Sequence, residues 1–230
     1  MREIVLDTET TGLSPHEGHR IVELGAIELI NHLPSGKSLQ IYFNPERAMP
    51  KEAEAVHGLS DTFLRNQPLF KSKAQEILDF IESDNLIIHN AAFDIGFLNA
   101  ELKSCEKSEL EMIRVIDTLQ LARKRHPMGP NSLDALCKRY HIDNSKRTKH
   151  GALMDAELLA EVYLELIGGR QTNFGLQSKS TINIEAPNQT PMQSKVRPNR
   201  LPKRLTDSDA EKHQTAITEL GPQALWKILN

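Results

Sequence analysis

The chain has 230 residues, 39% of them hydrophobic, 5% aromatic and 26% charged, with 28 Lys+Arg against 31 Asp+Glu for a net charge of −3. This is one full domain plus a smaller piece, with an aliphatic core, which excludes a wholly disordered chain; its bulk charge does not advertise a nucleic-acid binder. Cys105 and Cys137 lie far apart with no CxxC partner, which excludes a disulfide framework or a cysteine-rich zinc site and points to a reducing compartment. No run approaches the ~18 apolar residues of a membrane span. Glu3 and Asp7 come before any apolar stretch of signal-peptide length, so the expectation is a soluble, cytoplasmic protein.

Ile4, Val5 and Leu6 form a short apolar run ending at Asp7, the composition of a buried strand. Residues 21–30 mix β-branched and polar positions as a second strand, and residues 38–43 read as a third. Strands so close in sequence are antiparallel neighbours. Ala74, Ile77, Leu78 and Ile81 have helical spacing, Leu86, Ile87 and Ile88 form a fourth strand, and residues 92–102 a helix. Val115 and Ile116 are a fifth strand, followed by helices over 118–125, 132–140 and 152–167. Three strands and then alternating helices and strands predict an α/β fold, a mixed sheet flanked by helices.

Charge divides the chain. Residues 1–170 carry 20 basic and 26 acidic side chains, net −6, whereas residues 171–230 carry 8 and 5, net +3, with five of the twelve prolines. The Gln, Ser, Thr, Asn and Pro-rich stretch from 177 to 205 lacks the apolar residues to offset its ordering entropy. The predicted organisation is a domain over 1–170, a flexible linker over 171–205 and a short helical tail over 206–230. The ~29 residues from 177 to 205, as a flexible chain, have an end-to-end distance of roughly 30 Å. Thr206-Asp207-Ser208-Asp209 looks like a helix start, with acids at the positive end of the dipole.

Four acidic side chains stand at the ends of elements. Asp7 and Glu9 are i and i+2 on an extended chain, so both project to one side, where like charges repel unless solvent or a cation intervenes. Asp94 lies in the first turn of the helix that follows strand 86–88, and Asp155 in the early turns of the last helix of the domain. His150 belongs to the loop entering that helix. On a continuous helix it would sit ~140° from Asp155, at ~100° per residue, whereas a loop lets the imidazole swing over the site. Each residue singly has an ordinary explanation as a solvated acid, a dipole partner or a cap. Together, four carboxylates from three segments can meet at one sheet edge with no matching Lys or Arg nearby, which is costly without a counter-charge. Oxygen ligands favour Mg²⁺ or Mn²⁺ over zinc, and a pair of such ions suits phosphoryl chemistry.

DTETTG at 7–12, HNAAFDIGFLN at 89–99 and HGALMDAELLAEVY at 150–163 resemble the three exonuclease motifs of the DEDDh, or DnaQ-like, family. SLDALCKRYHIDNSKRTKHGAL, leading into the last of them, is similar to the proofreading branch of that family, the exonuclease subunits of bacterial DNA polymerase III. The resemblance covers residues 1–176 well and the last 25 loosely. It implies an RNase H-like five-stranded fold and hydrolysis of the terminal phosphodiester, 3′ to 5′, releasing nucleoside monophosphates. It also implies that Asp7, Glu9 and Asp155 hold a first divalent ion, that Asp7 bridges to a second, and that Asp94 acts through intervening waters. His150 is implied as the general base, a role that suits an imidazole because its reference pKa lies near neutrality. By the same resemblance, backbone amides at Thr8 and Thr10 reach the terminal 3′-hydroxyl, and Leu13 and Phe93 stack or wedge against terminal bases. Glu52 and His57 contact the last nucleotide, and Asn90 assists.

The resemblance extends to partners. Gln171, Phe174 and Leu176 are similar to a short sliding-clamp-binding peptide. The tail after Thr206 is loosely similar to the segment that anchors to the polymerase catalytic (alpha) subunit, with Trp226, the one tryptophan, as its anchor. Such a tether keeps a nuclease at high effective concentration near the primer end. Two other readings are a freestanding DEDDh nuclease that trims DNA or RNA ends and a non-catalytic scaffold. The tail speaks against the first, and the complete set of five catalytic positions against the second.

Overall fold

The structure, a computed structural model, describes residues 1–145, 147, 149–168 and 206–220. The described residues up to 168 belong to one unit and residues 206–220 to another. Five strands form one sheet in the order β3-β2-β1-β4-β5: β1 (Arg2–Thr10), β2 (Ile21–Ile30), β3 (Leu33–Tyr42), β4 (Asn85–Ile88) and β5 (Val115–Asp117). β1, β2 and β3 pair antiparallel, while β4 joins β1, and β5 joins β4, in parallel. The predicted mixed five-stranded sheet is present. Two strands run longer than expected. β1 continues through the polar residues 7–10 because they pair with β2, Asp7 opposite Gly25 and Glu9 opposite Glu23. β3 begins at Leu33 because Asn31 and His32, both at positive φ (51° and 67°), close a two-residue hairpin turn; its exposed first half has no apolar alternation to announce it.

The pleat sends alternate β1 residues to opposite layers. Ile4 and Leu6 join the core built with α3 (Phe70–Ile81) and α4 (Ala91–Ser104), whereas Val5 packs with Ala156, Leu159 and Ala160 of α7 (Ala152–Leu166). Behind α7 lie α5 (Thr118–Arg125) and α6 (Leu133–Tyr140), against which Leu158, Val162 and Leu166 pack. α7 is therefore apolar on two sides and serves two cores. Two helices escaped prediction. α1 (Lys51–His57) buries only His57, and α2 (Asp61–Leu64) is a single turn capped by Ser60, so neither carries an apolar period. In the other unit, α8 (Asp207–Glu219) starts where predicted, with Thr206 and Asp209 in a reciprocal capping box. Among the described residues no helix is long and apolar enough to cross a membrane.

Gly25 decides how closely α7 approaches the sheet. A Cβ there would lie 2.2 Å from the Leu153 backbone nitrogen and 2.3 Å from the Ala152 carbonyl carbon. Only the absence of a side chain lets the start of α7 sit on β2 beside Asp7. We expect Gly25→Ala to lower the unfolding free energy by about 1–3 kcal/mol, the usual cost of overpacking, in urea denaturation. Gly96→Ala, on an exposed helical position with open space around it, should not destabilise; equal effects would contradict this role for Gly25.

Candidate active site

The site is built at the carboxyl end of β1. Because Val5 faces α7, so do Asp7 and Glu9, and the first turn of α7 presents Asp155 to them. A carboxylate oxygen of Glu9, a ring nitrogen of His150 and a carboxylate oxygen of Asp155 all lie within 4.8 Å of one another. Thr8 points to the opposite layer, where its hydroxyl donates a 2.6 Å hydrogen bond to Asp94 Oδ1. Asp94 sits in the first turn of α4, just after Asn90, whose left-handed backbone (φ 65°) turns the chain from β4 into that helix. His150 lies in the loop before Gly151, the N-cap of α7. Its backbone N–H donates to the Val56 carbonyl at 3.2 Å, which ties this loop to α1.

The carboxylates raise one another's affinity for protons. Desolvation, then the charges of Asp94, Glu9 and Asp155, pushes Asp7 well above the usual carboxylate range. Burial, then Asp155 and Glu23, lifts Glu9 to about 8. Burial also raises Asp94, against the opposing hydrogen bond from Thr8. An all-oxygen donor set of crowded, desolvated carboxylates with one imidazole at its rim fits a hard divalent cation, which would remove this repulsion.

Two cavities flank the cluster. One of about 510 Å³ is lined by Thr8, Glu9, Thr10, Leu13, Glu52, His57 and Phe93, among others. His57 is buried at the end of α1, its Nδ1 accepting from the Leu59 amide at 3.0 Å, so Nε2 carries the proton and faces the Thr10 backbone. Burial lowers the pKa of this ring, against the backbone hydrogen bond with Thr10. Leu13 is 84% exposed, while Phe93 is half-buried with its ring 5.0 Å from that of Phe97. The second cavity, about 670 Å³, is bordered by Asp7, Asn90, Arg123, Arg147, His150 and Asp155. Asn90 thus borders the second cavity, apart from the other nucleotide-contact candidates.

The sequence profile of the exonuclease family matches residues 4–163. A Rickettsia conorii protein named DNA polymerase III subunit epsilon is 49% identical over 224 residues, covering 96% of each chain. The Escherichia coli protein of that name is 50% identical over 176 residues, 74% of this chain and 72% of its own. The chain belongs to the epsilon-subunit family of exonucleases. Solved structures agree in fold: the nuclease domain of 3′hExo, a DEDDh family member bound to rAMP, has a TM-score of 0.64 at 16% identity over 73% of this chain and 92% of its own. Exonuclease X in complex with 5′ overhanging duplex DNA has a TM-score of 0.57 at 23% identity, again over 73% and 92%. Exonucleases of this RNase H-like type use divalent metal ions, in keeping with the donor set at the end of β1.

One expectation fails. The sequence suggested that no Lys or Arg stands near the acids, yet Arg147 grips Asp155 with two hydrogen bonds, Nε to Oδ1 at 2.5 Å and Nη2 to Oδ2 at 2.7 Å. Arg147 sits in an irregular polar loop eight residues before Asp155, where no periodicity predicts which way a side chain turns. Glu23 also went unnoticed. It is buried opposite Glu9 in the β1–β2 ladder and accepts from Gln40 at 2.8 Å; the hairpin register would have revealed it. Gln171, Phe174, Leu176 and Trp226 lie outside the described residues.

The raised acids predict an inverted pH dependence. A carboxyl with a raised folded-state pKa contributes stability that is present below its unfolded value and lost as pH climbs through the folded one. For Glu9 that window runs from 4.5 to about 8. With chelator present, the thermal midpoint should fall between pH 5 and 8, and millimolar Mn²⁺ at pH 8 should restore it by binding the folded state. A midpoint that rises across this range in chelator would contradict the assigned repulsion.

Proposed function

We propose that this chain is the 3′→5′ exonuclease that proofreads DNA synthesis as a subunit of a bacterial DNA polymerase III, with two Mg²⁺ or Mn²⁺ ions as cofactors. The observation that carries the reading is the meeting of Glu9, Asp155 and His150 within 4.8 Å beside Asp7, at a strand end open to two cavities. Asp7, Glu9, Asp94 and Asp155 would hold the ions. When bound, the ions supply activation of water and stabilisation of the departing oxygen. The remaining work belongs to the chain's own residues.

The smaller cavity receives the 3′-terminal nucleotide. Backbone amides at Thr8 and Thr10 hold its 3′-hydroxyl, and Glu52 and His57 bind its polar edge. Leu13 and Phe93 offer apolar surface to the terminal bases, a contact that tolerates any base. That tolerance suits an enzyme that must remove whichever nucleotide was misplaced. Asn90 assists from the neighbouring cavity. His150, on the exposed rim, takes a proton from the attacking water. The acidic domain binds a frayed end weakly, and the polymerase supplies the grip on phosphates that this surface lacks.

The partners follow the same reading. Gln171, Phe174 and Leu176 dock on a sliding clamp, and the tail with Trp226 anchors to the polymerase catalytic (alpha) subunit. Similarity to the Rickettsia protein spans 96% of the chain and so takes in much of the tail, which a freestanding nuclease does not need.

Digestion of a 3′-mismatched primer tests the chemistry. Asp7→Ala should abolish turnover, since that residue serves both ions. His150→Ala should keep Mn²⁺ binding and lose roughly 10²–10⁴-fold in rate, the range for a general base; equal loss of metal in both variants would refute the histidine's role. Deleting residues 206–230 should spare hydrolysis of short oligonucleotides and abolish co-purification with the polymerase chain, so retained binding would refute the tether.

A further inference from the structure

We propose that Arg147 is a positioning residue that holds the site closed without metal, occupying both the carboxylate of Asp155 and the imidazole of His150 until a divalent ion displaces it. The proposal rests on reading these carboxylates as metal ligands. The Arg147 side chain is 7% exposed and that of Asp155 is 5% exposed. Its fork takes one bond to each Asp155 oxygen, at 2.5 and 2.7 Å. The same Nη2 lies 2.7 Å from His150 Nδ1, and Nη1 donates to Asp134 Oδ1 at 2.7 Å.

A guanidinium has no acceptor, so it is the donor to His150 Nδ1. The same Nη2 lies 3.4 Å from Nε2, so the guanidinium covers the edge of the imidazole that faces Asp155. The Asp155 oxygens that face Glu9 and His150 are the ones an ion would need, and the arginine already lies across them. One cation therefore competes with a divalent ion for Asp155, and an ion with twice its charge would displace it. Asp134, on α6 and 56% exposed, lies on the solvent side and can keep one end of the displaced guanidinium. The buried acids thus have a counter-charge when no ion is present.

Calorimetric titration of the full chain with Mn²⁺ in the absence of DNA tests this. Arg147→Gln should bind Mn²⁺ roughly tenfold more tightly than wild type, on the order of one charge-assisted hydrogen bond. A residue that only braces the loop would leave affinity unchanged or weaken it, and either result would overturn the proposal. Wild-type protein supplies a second measurement that needs no variant. In chelator, NMR should detect a slowly exchanging Arg147 Nε–H, and saturating Mg²⁺ should abolish or shift it. Persistence of an identical signal with Mg²⁺ bound would also overturn the latch. If wild type and variant alike bind no Mn²⁺, the metal-site reading itself fails, and the latch fails with it.

Discussion

Negative charge held where water cannot screen it is the constraint on which this molecule depends. Glu9, Asp94 and Asp155 are each less than a tenth exposed, and Asp7 interacts with all three. Carboxylates at such range cannot all stay ionised unless a cation joins them. The raised proton affinities, the arginine across Asp155 and the fit to divalent ions are three responses to that one condition. His150 stands half-exposed at the rim, its Nδ1 3.4 Å from Asp155 Oδ2.

The scaffold creates the crowding by two simple devices. Strand alternation places Asp7 and Glu9 on the α7 side of the sheet and Thr8 on the α4 side, where it steadies Asp94. Gly25, opposite Asp7, removes the side chain that would hold α7 away. Asp155 therefore reaches the strand end because a residue on another strand has no Cβ. Packing of α7 against the sheet on one side and against α5 and α6 on the other makes that approach rigid.

Legibility followed periodicity. α5 was predicted over the residues it occupies, and α6 and α7 to within one residue, because apolar spacing and capping residues mark them. α1 and the first half of β3 are mostly exposed, so no burial pattern announces them; a tight turn and contacts with distant segments hold them in place. The same division runs through the site. Acids at the ends of apolar strands and at helix starts drew notice together with His150, whereas Arg147 in a patternless loop did not. Glu23 looked like any polar strand position until the hairpin register set it against Glu9.

From the sequence alone came the chemical inventory: which side chains can ligate, donate or accept a proton, and which local elements carry them. Those are properties of residues and of short-range geometry, written into a few consecutive positions. The tertiary structure decided which charges meet and how strongly, bringing Arg147 onto Asp155, placing Asn90 in the second cavity and lifting Glu9 to about 8. Coulomb energies and desolvation depend on distances between segments and on what excludes water around them, and those distances exist only once the chain has folded.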